Sequence, residues 1–230
     1  MKSNRSRSLG KYILVISMLT TLSGLVKSQD IQFSLYADPL ISWFSTDTKE
    51  TDNGGVKPGF SIGLSYDRYF AENYAFSTGI FLINAAGKLS YSDTIDIEFK
   101  NSIQELPANE DITYKIQYIS IPLGLKFKTN QIGYLTFFSN IGLDPKLVIA
   151  AKADIPGLEI EDENITEELN IFNLGYHLAL GAEYSLGGNT ALVFGLSYEN
   201  NFLDITRDNE GQPVDKVRHN LVRFKLGINF

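Results

Sequence analysis

The chain has 230 residues, enough for one domain of ordinary size with a substantial buried surface. Its 20 Lys and Arg stand against 27 Asp and Glu, a formal net charge of −7, which repels nucleic-acid phosphates and argues against such a partner. The absence of cysteine excludes disulfides, thiolate metal sites and lipid attachment at a cysteine.

In chain order, Lys2, Arg5, Arg7 and Lys11 make a basic start, and Tyr12 to Leu25 is an apolar run without charge. Val26-Lys27-Ser28 then sets up a cut before Gln29. This layout predicts a cleavable secretory signal peptide over residues 1–28. The apolar run is short of the ~20 residues a spanning helix needs. Residues 29–230 are then one domain, more acidic than the whole because the five bases lost include no compensating acid.

That domain alternates strand after strand. Ile31 to Phe44 carries Phe33, Leu35, Ile41 and Trp43 on one parity, and a polar stretch over 46–57 follows. Phe60, Ile62, Leu64 and Tyr66 face one way in the second strand. After a turn at Ala71-Glu72-Asn73 the third returns through Tyr74, Phe76, Ile80 and Leu82. Ser90 to Thr113 reads as a long polar loop. The fourth strand sets Ile119, Ile121, Leu123, Leu125 and Phe127 against Tyr118, Ser120, Pro122, Gly124 and Lys126. Thr129-Asn130-Gln131 turns into a fifth strand from Tyr134 to about Lys152, and an acidic loop runs from Ala153 to Leu169. The sixth strand alternates from Phe172 to Tyr184, Gly187-Gly188-Asn189 is a hairpin turn, and Leu192, Phe194, Leu196 and Tyr198 mark the seventh. After polar residues 206–217, Val222, Phe224, Leu226, Ile228 and Phe230 oppose Arg223, Lys225, Gly227 and Asn229.

Eight period-2 strands with connections alternating long and short predict an all-β fold, an eight-stranded antiparallel transmembrane β-barrel in up-and-down order. Its short turns would be periplasmic and its long loops external. The bulky parity would face lipid, since large side chains all around would not fit a narrow lumen. Asp67, Lys126, Asp144, Lys146, Glu183, Glu199, Arg223 and Lys225 would then pair across the lumen as a plug, with no conducting path. Tyr66, Tyr69, Tyr74, Tyr118, Tyr184 and Tyr198 would form interface girdles. The opposite reading is a soluble periplasmic carrier with its apolar parity inward around a ligand.

No catalytic, cofactor-binding or metal-ligating residue stands out, and no cofactor is expected. The two histidines are His177, on the inner parity, and His219, at the start of the last strand. An outer-membrane lipid-modifying enzyme, the alternative activity, needs a histidine facing outward beside Ser or a carboxylate. His177 and Glu183 share a strand but lie about 20 Å apart along it, too far for a dyad. Asp154, Glu159, Glu161, Asp162, Glu163, Glu167 and Glu168 read as a solvated acidic loop, with divalent ions bridging to lipopolysaccharide as a second reading. Asp93-Thr94-Ile95 is similar to the O-glycosylation tripeptide of exported Bacteroidota proteins, with Thr94 the acceptor.

Tyr118-Ile119-Ser120-Ile121-Pro122-Leu123-Gly124-Leu125-Lys126-Phe127 resembles a signature strand of the Bacteroidota outer-membrane β-barrel family that includes the PorT-like proteins. Lys57 to Leu64 resembles that family's second strand, Leu178 to Tyr184 a later one, and Leu196-Ser197-Tyr198 onward its penultimate one. Tyr36-Ala37-Asp38-Pro39 departs from its glycine-rich opening. The resemblance implies a non-enzymatic integral barrel of the Gram-negative cell envelope, in outer-membrane lipid and lipopolysaccharide. It also implies a structural or interaction role through the external loops, with secretion or gliding machinery as the candidate partner. The barrel-assembly machinery would read the last strand, ending in Phe230.

Overall fold

The computed structural model describes residues 31–47, 51–99, 102–207 and 216–230, so the signal-peptide reading of 1–28 lies outside the described residues. These hold thirteen strands: β1 (Ile31–Ser45), β2 (Thr51–Asn53), β3 (Lys57–Ala71), β4 (Tyr74–Tyr91), β5 (Ile95–Phe99), β6 (Ser102–Leu106), β7 (Asp111–Ser120), β8 (Leu123–Lys128), β9 (Leu135–Ile155), β10 (Ile160–Asn164), β11 (Phe172–Gly187), β12 (Thr190–Asn201) and β13 (Arg218–Asn229). Because β7 and β8 are one stave interrupted at Ile121-Pro122, the wall has eight staves, each antiparallel to its neighbours. β13 pairs with β1 and closes the ring. Closure leaves no sheet edge, which hydrocarbon would penalise by several kcal/mol per unpaired group, roughly.

Register sets the shape. From Glu183 the paired residues run Val193, Gly227, Tyr36, Gly63, Phe81, Ser120, Lys146 and Asn173, which returns to β11 ten residues from the start. A shear of this size tilts the staves by roughly 40° and leaves a bore that side chains fill. Cross-strand glycines make room for the aromatic ones. Gly63 stands opposite Phe81, Gly181 opposite Phe138 and Gly227 opposite Tyr36, and each ring lies where a Cβ would be. Large side chains all around would not fit, but single rings do where a glycine faces them.

In the half of the barrel nearer the short turns, the parities fall as the alternation predicts. Phe224 and Leu226 are 45% and 43% exposed, and Arg223 between them is 5% exposed. Phe60, Ile62 and Leu64 on β3 and Leu123, Leu125 and Phe127 on β8 extend the same outward belt. A belt of this kind matches lipid rather than water, and the inward-apolar carrier is excluded for this half. Rings gather at the short-turn rim, with Phe33 against Tyr66 and Phe230, Tyr74 against Phe127, and Tyr134 against Tyr184. Tyr118 and Tyr69 leave the expected girdle. Tyr118 is buried inside, and the Tyr69 hydroxyl donates to Gln32 Oε1 at 3.0 Å.

Higher up, the parities exchange chemistry without exchanging direction. On β7 the outward residues become Asp111, Thr113, Lys115 and Gln117, while Ile112, Tyr114, Ile116 and Tyr118 point in and are buried. On β4, Ile83, Ala85 and Leu89 point in and are buried, with Asn84 and Lys88 outside. On β9 a one-residue bulge near Ile149 exchanges direction instead: odd-numbered Leu143 and Leu147 point out below it, and odd-numbered Ala151, Ala153 and Ile155 point in above it. The barrel continues past its lipid belt as a water-soluble segment with an apolar interior.

The stretch expected to be a polar loop covers that interior. β5 and β6 form a hairpin whose Ile95, Ile97, Phe99 and Leu106 join the buried cluster of Phe44, Leu89, Ile112 and Tyr114. Burying each such side chain is worth about 1.5–3 kcal/mol before ordering costs. The stretch reads as loop because its period-2 apolar residues, Ile95, Ile97 and Phe99, are spaced among the acidic Asp96 and Glu98. The acidic loop also holds more structure than expected, since β9 runs on to Ile155 and β10 folds back on it.

Candidate functional site: a filled lumen under an apolar cap

The inner charges meet in two groups. Near the short-turn rim, Lys126 Nζ lies 2.7 Å from Asp67 Oδ2 and 2.9 Å from Glu183 Oε1. Lys128 reaches Glu183 Oε2 at 2.6 Å, and the Ser77 hydroxyl donates to Asp67 Oδ1 at 2.6 Å. Further up, Glu199 takes Lys146 on one oxygen and Arg223 on the other, and Lys146 also donates to Asn201 Oδ1 at 3.1 Å. Lys225 stands over the Tyr36 ring, 4.0 Å from its centroid. Mutual pairing offsets the desolvation of charges held this deep. Sequence parity named seven of these residues but missed Lys128, Ser77 and Asn201, whose partners lie on other staves.

Asp38 was also missed, though its neighbourhood stood out. The β1–β13 ladder is interrupted from Ala37 to Pro39, and the buried Asp38 carboxylate accepts the Leu226 N–H at 2.9 Å. A side chain thus stands in for a backbone acceptor at the seam where the barrel closes.

Both histidines point inward. His177 Nδ1 is 2.7 Å from Asp144 Oδ2 and Nε2 is 2.6 Å from Asn140 Oδ1, while Glu183 is held by lysines. His219 Nδ1 is 2.8 Å from the Tyr118 hydroxyl, and its ring packs edge-on against Phe44. The lipid-modifying alternative required an outward histidine, and neither one faces the lipid belt. The space beside His177, Lys126 and Lys225 is a cavity of about 50 Å³, enough for a water or a few. Above it stands the apolar layer, where an ion would have to shed its water.

At the external end, the acidic residues divide. Lys115 bridges Asp154 at 2.5 Å and Asp162 at 3.1 Å, and Glu110 Oε1 accepts the Gly157 N–H at 2.9 Å. Glu168, expected in solvent, is buried and accepts the Glu98 N–H, which ties β5 to the mouth. Among the described residues no three His, Asp or Glu converge to hold a metal ion. Thr94 is exposed just before β5.

Asp154 and Lys115 lie beyond the apolar belt. Partial burial acts to raise the Asp154 carboxyl, but hydrogen bonds from Lys115 and the Asp162 N–H outweigh it and hold the group below the usual carboxylate range. Lys115 donates to the Asp154 and Asp162 carboxylates, and these two bonds raise it above its ordinary value.

The family model described as "Outer membrane protein beta-barrel domain" matches residues 23–211. The chain belongs to this family. As an outer-membrane barrel it sits in the outer membrane, its lipids against the belt of Phe224, Leu226 and their neighbours. Among solved structures, Neisserial surface protein A is 12% identical, with a TM-score of 0.45 over 86% of this chain and 95% of that one. OprG from Pseudomonas aeruginosa is 13% identical, with a TM-score of 0.43 over 87% and 95%. Ail, the attachment invasion locus protein of Yersinia pestis, solved with a heparin analogue, is 16% identical, with a TM-score of 0.42 over 87% and 99%. No curated protein matches the chain.

Proposed function

We propose that this outer-membrane barrel is a closed, non-enzymatic anchor that works through its external surface and not by passing solute. One observation carries the reading: the ion-paired lumen lies beneath a buried apolar interior capped by the β5–β6 hairpin. A cap so well buried is a platform, and its outward residues, with those of β10, form the surface a partner meets. The resemblance of Tyr118–Phe127 to the PorT-like strand supports a partner in the envelope, with secretion or gliding machinery the leading candidate. Lipopolysaccharide is the surrounding lipid of the external leaflet. Residues 1–28 act as the export signal ahead of the barrel domain, and the barrel-assembly machinery reads β13 with Phe230.

In planar bilayers the purified full chain is expected to give no stepwise conductance above leak. Crosslinking on whole cells through cysteines introduced at exposed cap positions such as Gln104 should trap a defined envelope protein. Steady channel openings, or crosslinks to no protein above the level of a lipid-belt control at Leu180, overturn the proposal.

A further inference from the structure

The outer wall carries a groove of about 460 Å³ where β3, β4, β7 and β9 leave the lipid belt. Its lining includes the small outward residues Ala86 and Ala150 and the Gly59 backbone, with Phe60 at one side and the polar pair Asn84 and Gln117 between Phe60 and Ala150. Directly below on the same staves are lipid-facing side chains, Ile62, Leu82 and Leu147. At the upper end stand Lys115 and Lys152, which face each other across the β7–β9 ladder. Like charges directly opposite repel unless an anion lies between them. Asp154 and Asp162 serve Lys115, whereas the Lys152 ion contact among the described residues is to Asp162 at 3.9 Å. Lys152 is exposed and keeps donors to spare.

We propose that this groove binds one phosphorylated acyl lipid of the external leaflet. An acyl chain lies along Gly59, Ala86 and Ala150 beside Phe60, and the phosphate sits between Lys152 and Lys115. Two features select this occupant. The groove adjoins the lipid belt at its Phe60 and Ala150 sides, so a chain reaches it from Ile62 and Leu147. Its only basic end lies at headgroup height, where the outward residues turn from apolar to polar. Asp162, which reaches both lysines, is an internal competitor for the phosphate.

The test uses the refolded full chain in detergent micelles and native mass spectrometry, with bisphosphorylated lipid A as the probe. Dephosphorylated lipid A and inorganic phosphate are the comparison arms. Expected is a single retained lipid A adduct, weakened at least tenfold by Lys115→Gln with Lys152→Gln. Ala150→Trp, which fills the groove and leaves the charges alone, should weaken it similarly. Asp162→Ala should strengthen it. Heat-modifiable gel mobility reports that each variant is folded, and Ala150→Trp and Asp162→Ala keep the test open if the lysine pair does not fold. Equal binding of the dephosphorylated lipid overturns the proposal. So does equal binding by folded variants, or retention of inorganic phosphate as tightly as lipid A.

Discussion

At the residue scale, the consequences lie in single carboxylates. Glu199 neutralises both Lys146 and Arg223, so Glu199→Ala leaves two buried cations without their anion. The expected cost is about 3–5 kcal/mol, read as a lowered urea midpoint for unfolding from micelles. Asp154 supplies a pH dependence of known sign. Its carboxyl is held low in the fold, so the stability it contributes is fully present above the ordinary carboxylate range. That contribution is lost as pH falls through its folded value. Carbon-13 NMR should show Asp154 titrating below the usual range, with Lys115→Ala moving the midpoint up. Side-chain parity was readable in the sequence for Glu199, Lys146 and Arg223, but their partners were not, because pairing depends on which stave lies across the bore; Asp154 read as part of a solvated loop, whereas β9 runs through it.

At the element scale, the β5–β6 hairpin is attached by one apolar face and by Glu168. Phe99→Ser removes a buried ring from that face. Hydrogen exchange should then quicken over Ile95–Leu106 while β1, β3 and β13 stay protected, because those staves keep their ladders. Equal quickening in the staves counts against a separable cap. Ile95, Ile97 and Phe99 were visible as an alternation, and so were Ile112, Tyr114 and Ile116. Their window is rich in Asp, Glu, Ser and Asn and so reads as loop, and a five-residue strand gives a period little room to show.

At the scale of the whole molecule, two media shape one barrel. The lipid belt stabilises outward apolar groups, and above it water demands outward polar ones, so the staves that run past the belt, β4, β7 and β9, change their outward character along their length. Leu226→Arg, on the belt, should cost up to about 2–4 kcal/mol for folding into vesicles, according to its depth. Gln117→Arg, on the polar part of the outer wall, should cost close to nothing. Equal costs at both positions, measured by folding yield into vesicles, contradict a belt that ends between them.

Sequence alone determined that the chain is a series of two-faced strands, that eight of them suit a closed outer-membrane ring, and that bases and acids share one face. Period 2 is a property of the extended backbone, so it survives without knowledge of neighbours. Only the tertiary structure decided where the lipid belt stops, which acid meets which base, and that a hairpin seals the mouth. Those outcomes depend on shear and closure, which bring Phe44 to Tyr114 and Glu199 to Lys146 across distances no local pattern records.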